Sequence, residues 1–175
     1  VALLRVPVAR PPGLIFEPLL SEPAVLAMPV DHALASRYAE GEAVPLGALN
    51  GEPLILVRRP GAPGLYANLL ALLVQQRAQV RVVAEVDRMM TNLNLVASGA
   101  GLTVVPASMQ GVHPHSITYR QLPPGCGLEV PLTLGYRRDD EQAVTATLLA
   151  LARRIAGAPA ATDSAAPQTA TAAVT

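Results

Sequence analysis

Apolar residues recur along this chain in two rhythms, short unbroken aliphatic runs and stripes at helical spacing, and the two alternate. Val80–Val86 (VRVVAEV) is a β-branched run that predicts a strand buried on at least one face. Asp87 then stands where a helix N-cap is expected, and Met90, Leu93, Val96 and Ala97 recur at helical spacing. Gly99 falls where such a helix needs a left-handed C-terminal residue. Leu102–Val105 carries no charge, which suits a central parallel strand with both faces covered. Pro106 stops that strand, and Ala107–Met109 opens a further helical turn. Strand, helix, strand implies a right-handed crossover, and in open sheets of this kind ligands gather outside the carboxyl ends of strands. Here that edge comprises Glu85–Met89 and Pro106–Gln110.

The rest of the chain repeats the alternation. Val1–Val6 predicts a buried strand, Pro7–Gly13 a loop, and Leu14–Leu20 and Ala24–Met28 two extended runs broken by Ser21-Glu22-Pro23. Asp31–Tyr38 predicts one or two helical turns, Leu46–Leu49 a short turn, and Leu54–Val57 an aliphatic strand. Arg58–Gly64 (RRPGAPG) is a loop that delivers a helix over Leu65–Gln76, with Leu65, Leu69, Leu72 and Leu73 on one face. Ile117–Leu122 and Val130–Tyr136 predict strands on either side of a linker, Pro123–Gly127. A C-terminal helix is expected over Asp139–Ala156, with Val144, Leu148, Leu151 and Ile155 facing inward. Beyond it, residues 157–175 hold Ala, Thr, Pro and Ser with nothing to bury, which predicts a disordered tail. Alternating strands and helices argue an α/β fold, and two connections, around Ser21–Met28 and Leu122–Val130, read as crossovers between lobes.

Composition narrows the chemistry. The 175 residues are 51% hydrophobic but only 3% aromatic, so the core must be aliphatic. Net charge is zero and all 13 basic residues are Arg, which withholds the basic excess of a nucleic-acid surface. Cys126 is alone, which excludes an internal disulfide and any cysteine-rich metal site. No apolar run approaches the ~18 residues of a membrane span, Leu69–Val74 being the longest. VALLRV opens as a strand with no cap, turn or Met before it, so the chain reads as a fragment that begins inside a fold.

In order and spacing, VALLRV, FEPLLSEPAVLAMPVDHALA, LVASGAGLTVVPASM, and ITYRQL followed by PLTLGYRRDD resemble the effector-binding domain of LysR-type transcriptional regulators, over residues 1–156. The resemblance implies a two-lobed α/β fold with mixed sheets, like that of type 2 periplasmic binding proteins, with an effector between the lobes. On that template residues 1–25 and 128–156 form a partial first lobe and residues 26–127 the second, the first lobe being incomplete. The helix-turn-helix, linker helix and first elements of the first lobe that the family carries are not in this sequence. The resemblance further implies a cytoplasmic regulator and not an enzyme, with no cofactor. Sensing domains would pair, full-length chains would form tetramers, and DNA would be bound only through the segment not present here. Leu65–Gln76 and its neighbouring strand are the candidate pairing surface. A solute-binding receptor of an importer and a dehydratase-type enzyme share the architecture and remain alternatives.

Candidate effector contacts follow from chemistry and template together. Arg5 ends the first strand, where a guanidinium offers two parallel donors to a carboxylate or else makes an interlobe ion pair. Arg58 and Arg59 begin the loop whose end, Pro63, Gly64 and Leu65, presents backbone N–H groups at a helix start; the plainer reading is a Gly/Pro turn with solvated arginines. Arg88 and Met89 occupy the opposite strand end, Met suiting an apolar effector face, while Asp87 reads as a cap. Ser108 either caps a turn or touches ligand. His32, His113 and His115 lack ligand spacing, since His113-Pro114-His115 directs its rings apart, and Cys126 has no local partner to activate it. No phosphate loop, nucleophile elbow or paired-carboxylate motif occurs.

Overall fold

The computed structural model of the protein describes residues 1–5, 11–58, 64–140 and 142–157. In chain order the elements are β1 (Ala2–Leu4), β2 (Leu14–Pro29), α1 (Ala33–Arg37), β3 (Pro53–Val57), α2 (Gly64–Gln75), β4 (Arg81–Val86), α3 (Met89–Ala97), β5 (Thr103–Pro106), β6 (Ile117–Gln121), β7 (Glu129–Arg137) and α4 (Ala143–Ala156), with 3₁₀ turns at Leu46–Leu49 and Ala107–Met109.

One strand organises all of this. The two extended runs expected on either side of Ser21-Glu22-Pro23 are a single sixteen-residue strand, β2. Its first part pairs antiparallel with β7, from Leu14 opposite Arg137 to Pro23 opposite Glu129, with an irregularity between Pro18 and Leu20. Its second part changes partners. Ala24–Ala27 pair with β5 on one side and Val25–Pro29 with β6 on the other. Pro23 does not break the strand because Ala24 resumes the ladder at once, donating to Leu128 O at 2.9 Å.

β5 is therefore antiparallel to β2, not the parallel strand that the uncharged run Leu102–Val105 suggested. The parallel relation survives one residue earlier. Leu102 N donates to Pro53 O and Ile55 N to Leu102 O, both at 2.8 Å, which joins β3 to the start of β5. β3 in turn pairs parallel with β4. The carboxyl ends of β4, β3 and β5 consequently share one edge.

Alternation along these strands fills two cores. Ala24, Leu26 and Met28 point with Leu54, Leu56 and Val104 toward Leu34, Leu49, Leu69 and Leu73, under α1, α2 and the Leu46–Leu49 turn. Val25, Ala27, Ile55 and Val105 point to the other face, where Leu93 and Val96 of α3 cover them. Every residue of β5 is buried, as its uncharged sequence requires. Gly99 adopts φ 81° after α3, as its position demanded.

Further expectations fail at the margins of the fold. β1 is an edge strand beside β7 with Leu3 59% exposed, and β4 is an edge strand with Val82 and Val83 more than 40% exposed, so neither has the buried face predicted for it. The helix cap expected at Asp87 falls to Arg88, whose side chain makes no cap hydrogen bond. On α4, Val144, Leu148, Leu151 and Ile155 face solvent, and Thr145 and Leu149 are the buried residues. The packed row is Thr145, Leu149 and Arg153, and Arg153 reaches Glu17 on β2 from that same face. The helix also starts at Ala143, four residues later than expected, with Asp140 accepting from Gln142 N and from Thr145 Oγ1 ahead of it. Gly157 ends it in a left-handed conformation; the remainder of the expected tail lies outside the described residues.

Candidate functional site

The shared carboxyl edge of β4, β3 and β5 carries the candidate chemistry at two places. The first is a hollow of about 600 Å³ lined by Arg58, Glu85, Val86, Asp87 and Thr91. Arg58 N donates to Val86 O at 2.8 Å, so the chain leaves β3 still held to β4. Its guanidinium then donates to Glu85 Oε2 at 2.9 Å and lies 6.0 Å from the centroid of the Tyr66 ring on α2. The Glu85 carboxylate, chiefly through that hydrogen bond, holds the Arg58 guanidinium above its ordinary pKa. Arg58 is thus placed on the rim of the hollow as one half of an ion pair. Both partners are about half exposed, so the pair orients the side chain more than it stabilises the fold.

The second place is the end of β5, where three distant segments converge. Arg5, just after β1, donates through Nη1 to Glu22 Oε1 and through Nη2 to Ser108 Oγ at 3.3 Å. Ser108 N donates to Glu22 Oε2 at 2.6 Å, and Ser108 Oγ donates to Glu22 Oε1 at 3.1 Å. The Glu22 side chain is 14% exposed and that of Arg5 36%. A guanidinium, a hydroxyl and a backbone N–H therefore converge on one carboxylate, a donor set complementary to a small organic acid.

The sequence-predicted residues divide accordingly. Arg5 and Ser108 are brought together, and Ser108 caps no helix; its donors go to Glu22. Arg58 reaches the hollow, while Asp87 and Thr91 line it beside Arg88, which is exposed at the N-cap of α3. Met89 is half-buried against the core beneath α3 and Leu65 half-buried against the core beneath α2. Gly64 opens α2. Arg59 and Pro63 lie outside the described residues. Glu22 and Tyr66 were absent from the expected set, and Glu85 was named only as part of the strand-end edge. Glu22 had left a signal, being the only charge between Pro18 and Asp31 in an otherwise strand-like run.

Two of the three histidines, His32 and His113, have local partners. His32 caps α1, its Nδ1 accepting from Leu34 N at 3.2 Å, which leaves the proton on Nε2 facing Glu52 Oε2 at 3.3 Å. His113 pairs with Asn94 Oδ1 at 2.8 Å. Among the described residues no group of three or more His, Cys, Asp or Glu side chains is placed to share a metal ion, and no helix is long and apolar enough to cross a membrane.

Comparison with known proteins gives the geometry its context. The family described as the LysR substrate binding domain matches residues 1–156. The regulator AlsR of Bacillus subtilis is 30% identical over 128 residues, covering 73% of this chain and 41% of that protein. CatR of Pseudomonas putida is 31% identical over 140 residues, covering 80% and 46%. The chain thus spans less than half the length of these curated relatives. Among solved structures, CbnR superposes with a TM-score of 0.73 at 22% identity, over 87% of this chain and 51% of that one, which establishes a common fold.

Proposed function

This chain belongs to the LysR substrate-binding domain family, a family of transcriptional regulators and not of enzymes, and from that premise we propose that it senses a small organic acid held between two lobes. The observation that carries the reading is the convergence of Arg5 and the Ser108 N–H and hydroxyl on a carboxylate, on the strand-end edge that also bears the hollow beside Arg58. The partner change of β2 at Pro23–Ala24 supports the division into lobes, with residues 1–25 and 128–156 in one and 26–127 in the other. Ligand binding in such a cleft favours one relative setting of the lobes by its differential affinity for that setting.

In a full-length protein this setting would be passed to DNA-binding segments of a cytoplasmic oligomer. The proposed pairing surface is the outer side of α2 with the free edge of β4, where Val74 is 76% exposed and Val82 and Val83 more than 40%. The test of sensing is thermal stabilisation of the chain across a panel of small acids that includes benzoate and shikimate. An acid at about 100 times its dissociation constant adds roughly 2.7 kcal/mol. A panel in which no acid raises the melting temperature removes the proposal.

A further inference from the structure

Glu22 lies at the point where β2 changes sheets. Its neighbour Pro23 is the last residue paired with β7, and Ala24 is the first paired with β5. Its carboxylate ties that joint to the end of β1 through Arg5 and to the end of β5 through Ser108. A second ion pair among the described residues, between Glu17 and Arg153, is the more deeply buried of the two. There a carboxylate on the same strand meets a guanidinium from α4, with Tyr136 alongside, and both side chains are no more than 21% exposed. That pair joins a helix to the sheet beneath it. Glu22 instead joins three chain segments at a strand-end edge, and its cation is 36% exposed, open enough for a solute to reach.

We propose that Glu22 is a built-in occupant of the acid-binding position, a carboxylate from the protein itself that an effector's acid group must displace from Arg5 and Ser108. This rests on the reading of that edge as the effector site. The displacement involves no covalent change: two carboxylates compete for one set of donors, and Glu22 withdraws as the incoming oxygens take the guanidinium and the Ser108 N–H. Two consequences follow. Acid binding is weaker than the donors alone would give, because their existing partner must first be released. And binding unties β1 and β5 from the joint of β2, which turns occupancy into freedom of movement at the place where the strand passes between sheets.

The experiment is a comparison of Glu22→Gln with the unmodified full chain, using benzoate as the carboxylate probe and benzamide as its uncharged counterpart, read by titration calorimetry and thermal shift. Gln keeps the length of the side chain and one acceptor for Ser108 N, but leaves Arg5 without a counter-charge. The expected result is benzoate binding at least tenfold tighter in the variant, with benzamide unchanged, and loss of the gain in Glu22→Gln combined with Arg5→Gln. Should Glu22→Gln fail to fold by circular dichroism, Glu22→Asp, which retracts the carboxylate, carries the same expectation with a smaller gain. Benzoate binding that is unchanged or weakened by these substitutions makes Glu22 a positioning residue for Arg5; it overturns this proposal and leaves the sensing function standing. Absence of binding by either protein, with the wider acid panel also silent, overturns both.

Discussion

Arg153 of α4 forks onto Glu17 of β2, with Nε 2.8 Å from one carboxylate oxygen and Nη2 2.6 Å from the other, and Tyr136 donates to the same carboxylate at 3.2 Å. Glu17 is 9% exposed, so the pair is held largely out of water. Removing one member strands the other. Arg153→Met is expected to lower stability by about 2–3 kcal/mol, whereas Glu17→Gln combined with Arg153→Met recovers part of that loss. Urea denaturation of the two single variants and the double variant checks it; strictly additive losses would contradict the coupling.

The same pair sets an acid limit. The Arg153 hydrogen bonds and charge lower the Glu17 pKa from its ordinary 4.5, against the opposing effect of burial. A carboxylate depressed in the folded state contributes stability that is fully present above its unfolded pKa and is lost as pH falls through the folded one. Melting temperatures of the wild type should therefore fall more steeply below about pH 4.5 than those of Glu17→Gln. Parallel curves for the two proteins would show that Glu17 is not the titrating group.

Gly101 passes so close to β3 that a Cβ there would sit 2.6 Å from Pro53 O, a backbone atom that cannot swing aside. This contact is the one through which Leu102 joins β3 to β5. Gly101→Ala should cost about 2–4 kcal/mol by forcing those strands apart. Gly47→Ala, with open space around its Cβ position, should be close to neutral. Equal losses in the two variants would disprove the steric account.

How much of this was legible in the sequence depends on where partners lie. Leu54–Val57 and Leu102–Val105 were readable because their two apolar faces both meet cover. The apolar stripe of α4 misled, since the opposite face is the one that meets Glu17, 136 residues from Arg153, and periodicity carries no information about so distant a partner. β1 and β4 misled for a related reason: β-branched composition marks a strand but not whether it stands at an edge. At the site, Arg5 and Ser108 could each be picked out, but Glu22, 86 residues from Ser108 in sequence, is what joins them.

Oligomeric pairing through α2 and β4 makes a separate prediction. Val83 stands on an edge strand, 42% exposed, and Val74 projects from the last turns of α2. Val83→Glu combined with Val74→Glu should shift the chain to a monomer in sedimentation velocity without changing its melting temperature by more than a few degrees, since neither residue is buried within the chain. An unchanged assembly would place the pairing surface elsewhere.

Asn92 and Thr103 form the most deeply buried polar contact between α3 and the sheet. Asn92 Nδ2 donates to Thr103 Oγ1 at 2.6 Å, and the hydroxyl in turn donates to Ile55 O at 2.9 Å. Because that hydroxyl is already committed as a donor, it can only accept from Asn92, which fixes the amide's orientation. Among the described residues Asn92 Oδ1 has no partner, so the group is only half satisfied where it stands. Thr103→Val would leave the Nδ2 side unpaired as well and should cost about 2–3 kcal/mol. Asn92→Leu removes the stranded amide, so Asn92→Leu with Thr103→Val should be more stable than Thr103→Val alone. Chemical denaturation of the single and double variants decides the matter: a double variant weaker than Thr103→Val would mean that the amide makes a contribution its visible contacts do not explain.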